Sequence, residues 1–230
     1  MQEKGVCTIK LKISEIFLSI QGEGLNLGVC STFVRLSGCN LAERCSIPCD
    51  TKYAWKGSVE RSTTDVLLEV ASYNCRNIII TGGEPMLQQE ALIELMEKLL
   101  CTNLFYTFEI ETNGTIPPLK RLAELTDLFT VSPKFPNPKY SPVFSQIENL
   151  AERPKVVFKF VVDKQEDMKG ILQFLRKYNK EGREVFLMPQ ATSVTEMSAR
   201  LPMIIEEAKK HNFRVTPRLQ ILAYGLKRGV

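Results

Sequence analysis

Histidine and tryptophan are nearly missing from this sequence. Its 230 residues hold one of each. A lone His211 cannot build a zinc site from several imidazoles, a two-histidine facial triad or a set of imidazole bases. Charge of one sign is scarce as well. Thirty Lys and Arg stand against 26 Asp and Glu, a formal net charge of +4. That excess admits an anionic ligand but predicts no nucleic-acid partner. No apolar run reaches the roughly 18 residues of a membrane span. The opening stretch, MQEKGVCTIKLKIS, has no apolar signal core. These absences predict a cytoplasmic protein with reduced thiols and no membrane.

Cysteine, by contrast, is plentiful. There are seven, and an odd number fits free or metal-bound thiols better than a disulfide framework. The hydrophobic fraction of 44% is ordinary for a globular chain. The length suits one domain, residues 1–230, that buries its core without staples. No internal repeat, low-complexity tract or linker interrupts it. The four prolines of 132–142 read as a rigid excursion within the domain.

Past residue 60 the pattern alternates. Helix is expected over 64–74, a short buried strand over 77–81, and helix over 88–101, where Leu92, Leu95, Met96 and Leu99 recur at helical spacing. A strand over 104–111, a short helix near 118–125 and strands over 128–132 and 155–162 follow. Met168, Ile171, Leu172, Leu175 and Tyr178 mark the next helix. A strand at 184–189, a helix through Leu201, Ile204, Ile205 and Ala208, and a closing segment 213–219 complete the series. Strands this apolar, alternating with helices, imply a mainly parallel sheet. Sites in such sheets lie beyond the carboxyl ends of the strands. Polar clusters occupy those places: 81–85 (TGGEP), 111–115 (ETNGT), 132–134 (SPK) and Gln190.

Cys39, Cys45 and Cys49 put three thiols on one loop after the strand STFVRLSG. A closed zinc site needs a fourth ligand, from Cys7, Cys30, Cys75, Cys101 or a carboxylate. A cubane iron–sulfur cluster held by three thiolates leaves one iron open. Spacing alone leaves both readings standing, beside the bland one of buried small hydrophobes. Gly82 and Gly83 let backbone approach a ligand closely, and Glu84 can accept from an ammonium group. Alone, GGEP is equally a turn.

Together these segments resemble the radical S-adenosylmethionine (SAM) superfamily and, within it, the 7-carboxy-7-deazaguanine synthase family. The resemblance runs over most of the chain, through EIFLSIQGEG, FVRLSGCNL, CDTKYAW, ITGGEPMLQ, ETNGT, SPK, KFVV, LMPQAT and RVTPRLQILAYGLKRGV. SIQGEG, ETNGT and the PRLQ…KRG tail separate it from activases of glycyl-radical enzymes. One departure stands out. The superfamily spaces its cysteines C-x3-C-x2-C, whereas this loop reads C-x5-C-x3-C. Extra loop length costs well under ~1 kcal/mol per doubling. Pro48 also stands where the superfamily carries an aromatic near the adenine of SAM.

The resemblance implies an α/β fold, an incomplete (β/α) barrel with a shortened core of mainly parallel strands. It implies that Cys39, Cys45 and Cys49 ligate three irons of a 4Fe–4S cluster, with SAM on the fourth. One-electron cleavage of SAM then yields methionine and a 5′-deoxyadenosyl radical. Gly82, Gly83 and Glu84 would hold the methionine amino group. Ser132, Lys134 and Gln190 would hold its carboxylate, ribose or adenine. The family substrate, 6-carboxy-5,6,7,8-tetrahydropterin, loses hydrogen at C6, contracts and releases ammonia, assisted by Mg²⁺. Thr51 matches the family's metal-contacting threonine, although a turn-capping hydroxyl is the stronger reading on sequence alone. Arg35 would pair with the substrate carboxylate, and Gln21, Glu23, Gly24, Glu111 and Asn113 would meet the pterin edge. An external electron donor such as flavodoxin or ferredoxin and a homodimer are implied too. Two competitors remain, a glycyl-radical activase and a zinc-stabilised binding module.

Four further residue sets draw expectations. Lys159 interrupts a buried strand and either faces the site or snorkels at the strand end. His211 closes a helix, a structural place favoured by the dipole. Gln220 stands where some family members carry a substrate-facing His. Cys7, Cys30, Cys75 and Cys101 read as buried thiols.

Overall fold

The computed structural model describes residues 9–45, 49–102, 104–134, 155–177 and 184–230. Most of the proline-rich excursion, Cys7 and Pro48 therefore lie outside the described residues. All nine described strands join one sheet in the order β3-β1-β2-β4-β5-β6-β7-β8-β9. The strands are β1 (Lys10–Ile20), β2 (Cys30–Leu36), β3 (Val59–Ser62), β4 (Asn77–Gly82), β5 (Thr107–Thr112), β6 (Leu128–Val131), β7 (Lys155–Val162), β8 (Val185–Pro189) and β9 (Arg214–Val215). The helices are α1 (Thr63–Ser72), α2 (Gln89–Leu100), α3 (Lys120–Leu125), α4 (Asp167–Lys177), α5 (Val194–His211) and α6 (Leu219–Tyr224).

From β2 to β9 every neighbour is parallel. β6 and β8 are buried along their whole length, as strands covered on both faces must be. β1 and β3 are antiparallel additions at one edge, which the helix–strand alternation does not announce. β1 starts with the period-2 pattern of a half-covered strand: Leu11 and Ile13 buried, Lys10 and Lys12 exposed. The sheet ends on β3 and β9 and does not close, so the expected incomplete barrel is an open, mostly parallel α/β sheet.

The helices bury one stripe each. α2 buries Leu92, Leu95, Met96 and Leu99, the residues its periodicity singled out, and Ala91 beside them. α4 sets Phe174 edge-on to Phe158 and Phe160 at 5.9 and 5.8 Å between centroids, a favourable aromatic geometry. Three expectations shift. β5 begins at Thr107 instead of 104, and Phe105 is 91% exposed. The closing segment is only a two-residue strand, followed by α6. Cys75 is buried, but Cys30 and Cys101 are exposed.

Candidate active site

The carboxyl ends of β2, β4, β5, β6, β7 and β8 open onto one cavity of about 300 Å³. It is lined by Cys39, Cys45, Cys49, Thr51, Gly82, Gly83, Ser132, Lys134, Gln190, Gln21, Glu23, Arg35, Glu111 and Asn113. Fourteen positions singled out in the sequence thus meet in one place. Two others, Gly24 and Glu84, are not part of that lining.

The cysteine loop is seated by close backbone approach. Gly82 has φ +129°, and a Cβ there would sit 2.1 Å from the Leu36 carbonyl oxygen. A Cβ on Gly83 would sit 2.0 Å from the Gly38 carbonyl oxygen. The two glycines therefore let the end of β4 pack against the start of the cysteine loop. The Glu84 N–H donates to the Gly38 carbonyl at 2.8 Å. Asn113 Nδ2 donates to Asn40 Oδ1 at 3.0 Å, and Asn40 Nδ2 to Thr115 Oγ1 at 2.7 Å. ETNGT thus grips the loop next to Cys39.

Glu84 is fully buried and its carboxylate is spent at home. It accepts from the Met86 N–H (3.0 Å), Thr112 Oγ1 (2.7 Å) and the Asn113 N–H (2.8 Å). Burial still holds its carboxyl above the ordinary range. Its place is to tie the end of β4 to the end of β5. Gly24, at φ +72°, gives its N–H to Thr216 Oγ1 at 2.8 Å.

Burial raises the Cys39 thiol, and a bound metal reverses such a shift by taking the thiolate. Among the described residues, no three His, Cys, Asp or Glu side chains converge as a single-ion site. One zinc with Zn–S bonds of about 2.3 Å would need its thiolates roughly 4 Å apart. A cubane places each thiolate on its own iron. The three thiols line one cavity, and thiolates are the donors that a 4Fe–4S cluster takes. Lys134 Nζ donates to Ser132 Oγ at 2.8 Å. Burial lowers the Lys134 ammonium, against the pull of Cys45, Asp50 and Cys49. Thr51 Oγ1 lies 3.3 Å from Cys49 Sγ. It makes no side-chain cap to the short turn it precedes, so the turn-capping reading is corrected.

The same cavity is lined by a cluster of paired charges. Lys159 Nζ is 2.6 Å from Glu23 Oε2 and 3.1 Å from Glu111 Oε1, which decides between its two readings. Glu23 Oε1 accepts from Arg218 Nε at 3.0 Å and Gln220 Nε2 at 2.7 Å. Burial alone would push the Glu23 carboxyl up, but Lys159 and Arg218 hold it well below the ordinary range. Burial would likewise lower Lys159, and Glu111 and Glu23 hold it well above. Glu111 also accepts from Thr81 Oγ1 at 2.9 Å and Gln21 Nε2 at 3.4 Å. Beneath it, Glu109 accepts from Thr130 Oγ1 at 2.6 Å and Asn26 Nδ2 at 2.7 Å. Burial, then the charge of Glu111, pushes Glu109 up to about 7.

Arg35 sits at the cavity wall with Nε 2.7 Å from Glu15 Oε1, which also accepts from Tyr53 at 2.9 Å. Arg228 lies 3.5 Å from the centre of the Tyr53 ring and 3.3 Å from Glu15 Oε2. Sequence reasoning gave no role to Glu15, Asp50, Tyr53, Glu109, Arg218 or Arg228. Arg218 lay in a quoted motif, PRLQ, but nothing local marked it as buried. His211 lies 3.8 Å from Glu207 and stacks on Phe213, away from the cavity lining.

Residues 34–189 match the model of the Radical SAM superfamily. A 7-carboxy-7-deazaguanine synthase from Pyrobaculum aerophilum is 38% identical over 226 residues, covering 96% of this chain and 98% of the relative. One from Hyperthermus butylicus is 34% identical and covers 92% of each. The crystal structure of QueE from Escherichia coli superposes with a TM-score of 0.71 at 25% identity, over 91% of this chain and 94% of that one. The zinc-module reading of the cysteine loop gives way to these matches: the chain belongs to the radical SAM superfamily and, within it, to the 7-carboxy-7-deazaguanine synthase family.

Proposed function

We propose that this chain, acting as one domain over residues 1–230, converts 6-carboxy-5,6,7,8-tetrahydropterin to 7-carboxy-7-deazaguanine with release of ammonia. The observation that carries the reading is the meeting of the three thiols with Glu23, Glu111 and Lys159 across one cavity. As a radical SAM enzyme, the protein takes a 4Fe–4S cluster and SAM, which together supply hydrogen-atom abstraction when bound. Cys39, Cys45 and Cys49 would hold the cluster. Lys134, Ser132 and Gln190 would meet the polar parts of SAM. Gly82 and Gly83 would offer backbone to its amino group.

Glu23, kept ionised by Lys159 and Arg218, is suited to accept from the guanidine-like pterin edge. Glu111 and Gln21 extend that edge. Glu15 engages Nε of Arg35, which orients the two terminal guanidinium nitrogens for a bidentate grip on the substrate carboxylate. Mg²⁺ takes oxygen ligands and usually keeps only one or two from protein. Thr51, beside Asp50, would be the protein's contribution, with substrate oxygen completing the shell. The reading places the reaction in the cytoplasm, in 7-deazapurine biosynthesis, with flavodoxin or ferredoxin as electron source. It also includes a homodimer. Beyond Ile13 the outer edge of β1 pairs with no strand among the described residues, and Leu18 and Ile20 are exposed there.

Anaerobic reconstitution followed by product analysis tests this. The expected result is about four irons and four sulfides per chain, with the deazaguanine formed from the tetrahydropterin. One zinc without iron, or a loaded cluster without product, would overturn it.

A further inference from the structure

Arg218 is 8% exposed, and its guanidinium is divided among three loops. Nε donates to Glu23, one terminal nitrogen to the Ala191 carbonyl at 2.5 Å, and the other to Asp50. Glu23 lies in the loop after β1 and Ala191 in the loop after β8. Asp50 directly follows Cys49, the last thiol of the cysteine loop. The start of that loop is fixed separately, through Gly38 to Glu84 and through Asn40 to Asn113 and Thr115. Arg218 fixes its exit. A loop anchored at both ends takes up additional residues between the anchors, which is where this chain carries them.

Burying a guanidinium is costly unless carboxylates neutralise it, and here two do so. Its planar fork sets both the distance and the angle between them. One of those carboxylates stands at the radical source and the other at the substrate edge. We propose that Arg218 is a positioning residue that locks the exit of the cysteine loop to Glu23, so that hydrogen abstraction stays matched to the bound pterin. This rests on the function proposed above. A displacement of about 1 Å between reacting groups can cost on the order of 100-fold. The consequence of losing Arg218 is SAM cleaved without product.

The test compares reconstituted holoenzymes: the wild type, Arg218→Met, Arg218→Lys and Asp50→Asn. Iron content, the EPR signal of the reduced cluster with SAM, and the ratio of SAM cleaved to deazaguanine formed are measured on each. Iron stays near four per chain in all. The ratio rises about tenfold or more in Arg218→Met. Arg218→Lys keeps the charge but cannot reach three acceptors, so it folds and still leaks SAM. Asp50→Asn, with Arg218 in place, leaks less. A folded Arg218→Met or Arg218→Lys with the wild-type ratio overturns the proposal while leaving the enzyme's function intact. If neither arginine variant folds, a wild-type ratio in Asp50→Asn overturns it. A wild type that makes no product sinks the functional reading, and this inference with it.

Discussion

Glu109 shows how much a single side chain's surroundings decide. Its alternation with Glu111 along β5 is plain in the sequence, where both are acidic and two apart. Only the fold puts one on the cavity and the other beneath it, among Thr130, Asn26 and the charge of Glu111. With its carboxyl raised from 4.5 to about 7, the native state binds more protons than the unfolded chain between those values. Stability from this group is therefore present below pH 4.5 and is lost as pH rises to 7. Glu23, shifted down, works in the other direction and only below its ordinary value. Glu109→Gln should flatten the pH dependence of unfolding between pH 4.5 and 7, by about 1–3 kcal/mol across the window. Denaturant titrations at pH 5 and pH 8 check this, and an unchanged slope would remove Glu109 from the account. Glu23→Ala removes one of the two carboxylates that neutralise each of Lys159 and Arg218 in a buried place. It should cost about 3–5 kcal/mol of stability and weaken pterin binding at least tenfold, with iron content unchanged. Calorimetric titration with the pterin and iron analysis read the two effects separately, and loss of the cluster would contradict the assignment.

Elements with strong periodicity were legible within a residue or two. α2 and β7 fall where the apolar spacing puts them, because burial of one stripe or of both faces leaves a regular trace in the chain. α5 is longer than its four apolar marks suggest. Ser193 caps it, accepting from the Glu196 N–H at 3.2 Å, and Glu196 answers by accepting from the Thr192 N–H at 2.7 Å, close to a capping box. The same helix runs through Pro202, a residue that weakens any helical reading of the sequence. Ser193→Ala should lower stability by about 1 kcal/mol without changing SAM cleavage; a chemical melt showing no loss would deny the cap its weight. β1 and β3 were not read as a pair. Antiparallel edge strands depend on which partner arrives at their edge, and no local pattern records that.

At the scale of the molecule, the exposed edge of β1 and the open sheet predict a particle of twice the 26.1 kDa chain mass. Sedimentation equilibrium at micromolar concentration checks this, and a monomer there would remove the homodimer from the proposed function. The sequence by itself determined the alternation of strands and helices, the loop with three cysteines and the glycine pair at the end of β4. Each of these is set by local chemistry: apolar periodicity, thiol ligation and backbone reach. It left Arg218, Asp50 and Glu15 without their parts, and gave Glu84 to a ligand where the fold ties it to Met86, Thr112 and Asn113. Those roles depend on partners tens to hundreds of residues away, such as Glu23 for Arg218 and Asn113 for Glu84. Whether a buried charge is neutralised, or a carboxylate is already spent on backbone, is decided only when the carboxyl ends of the strands come together.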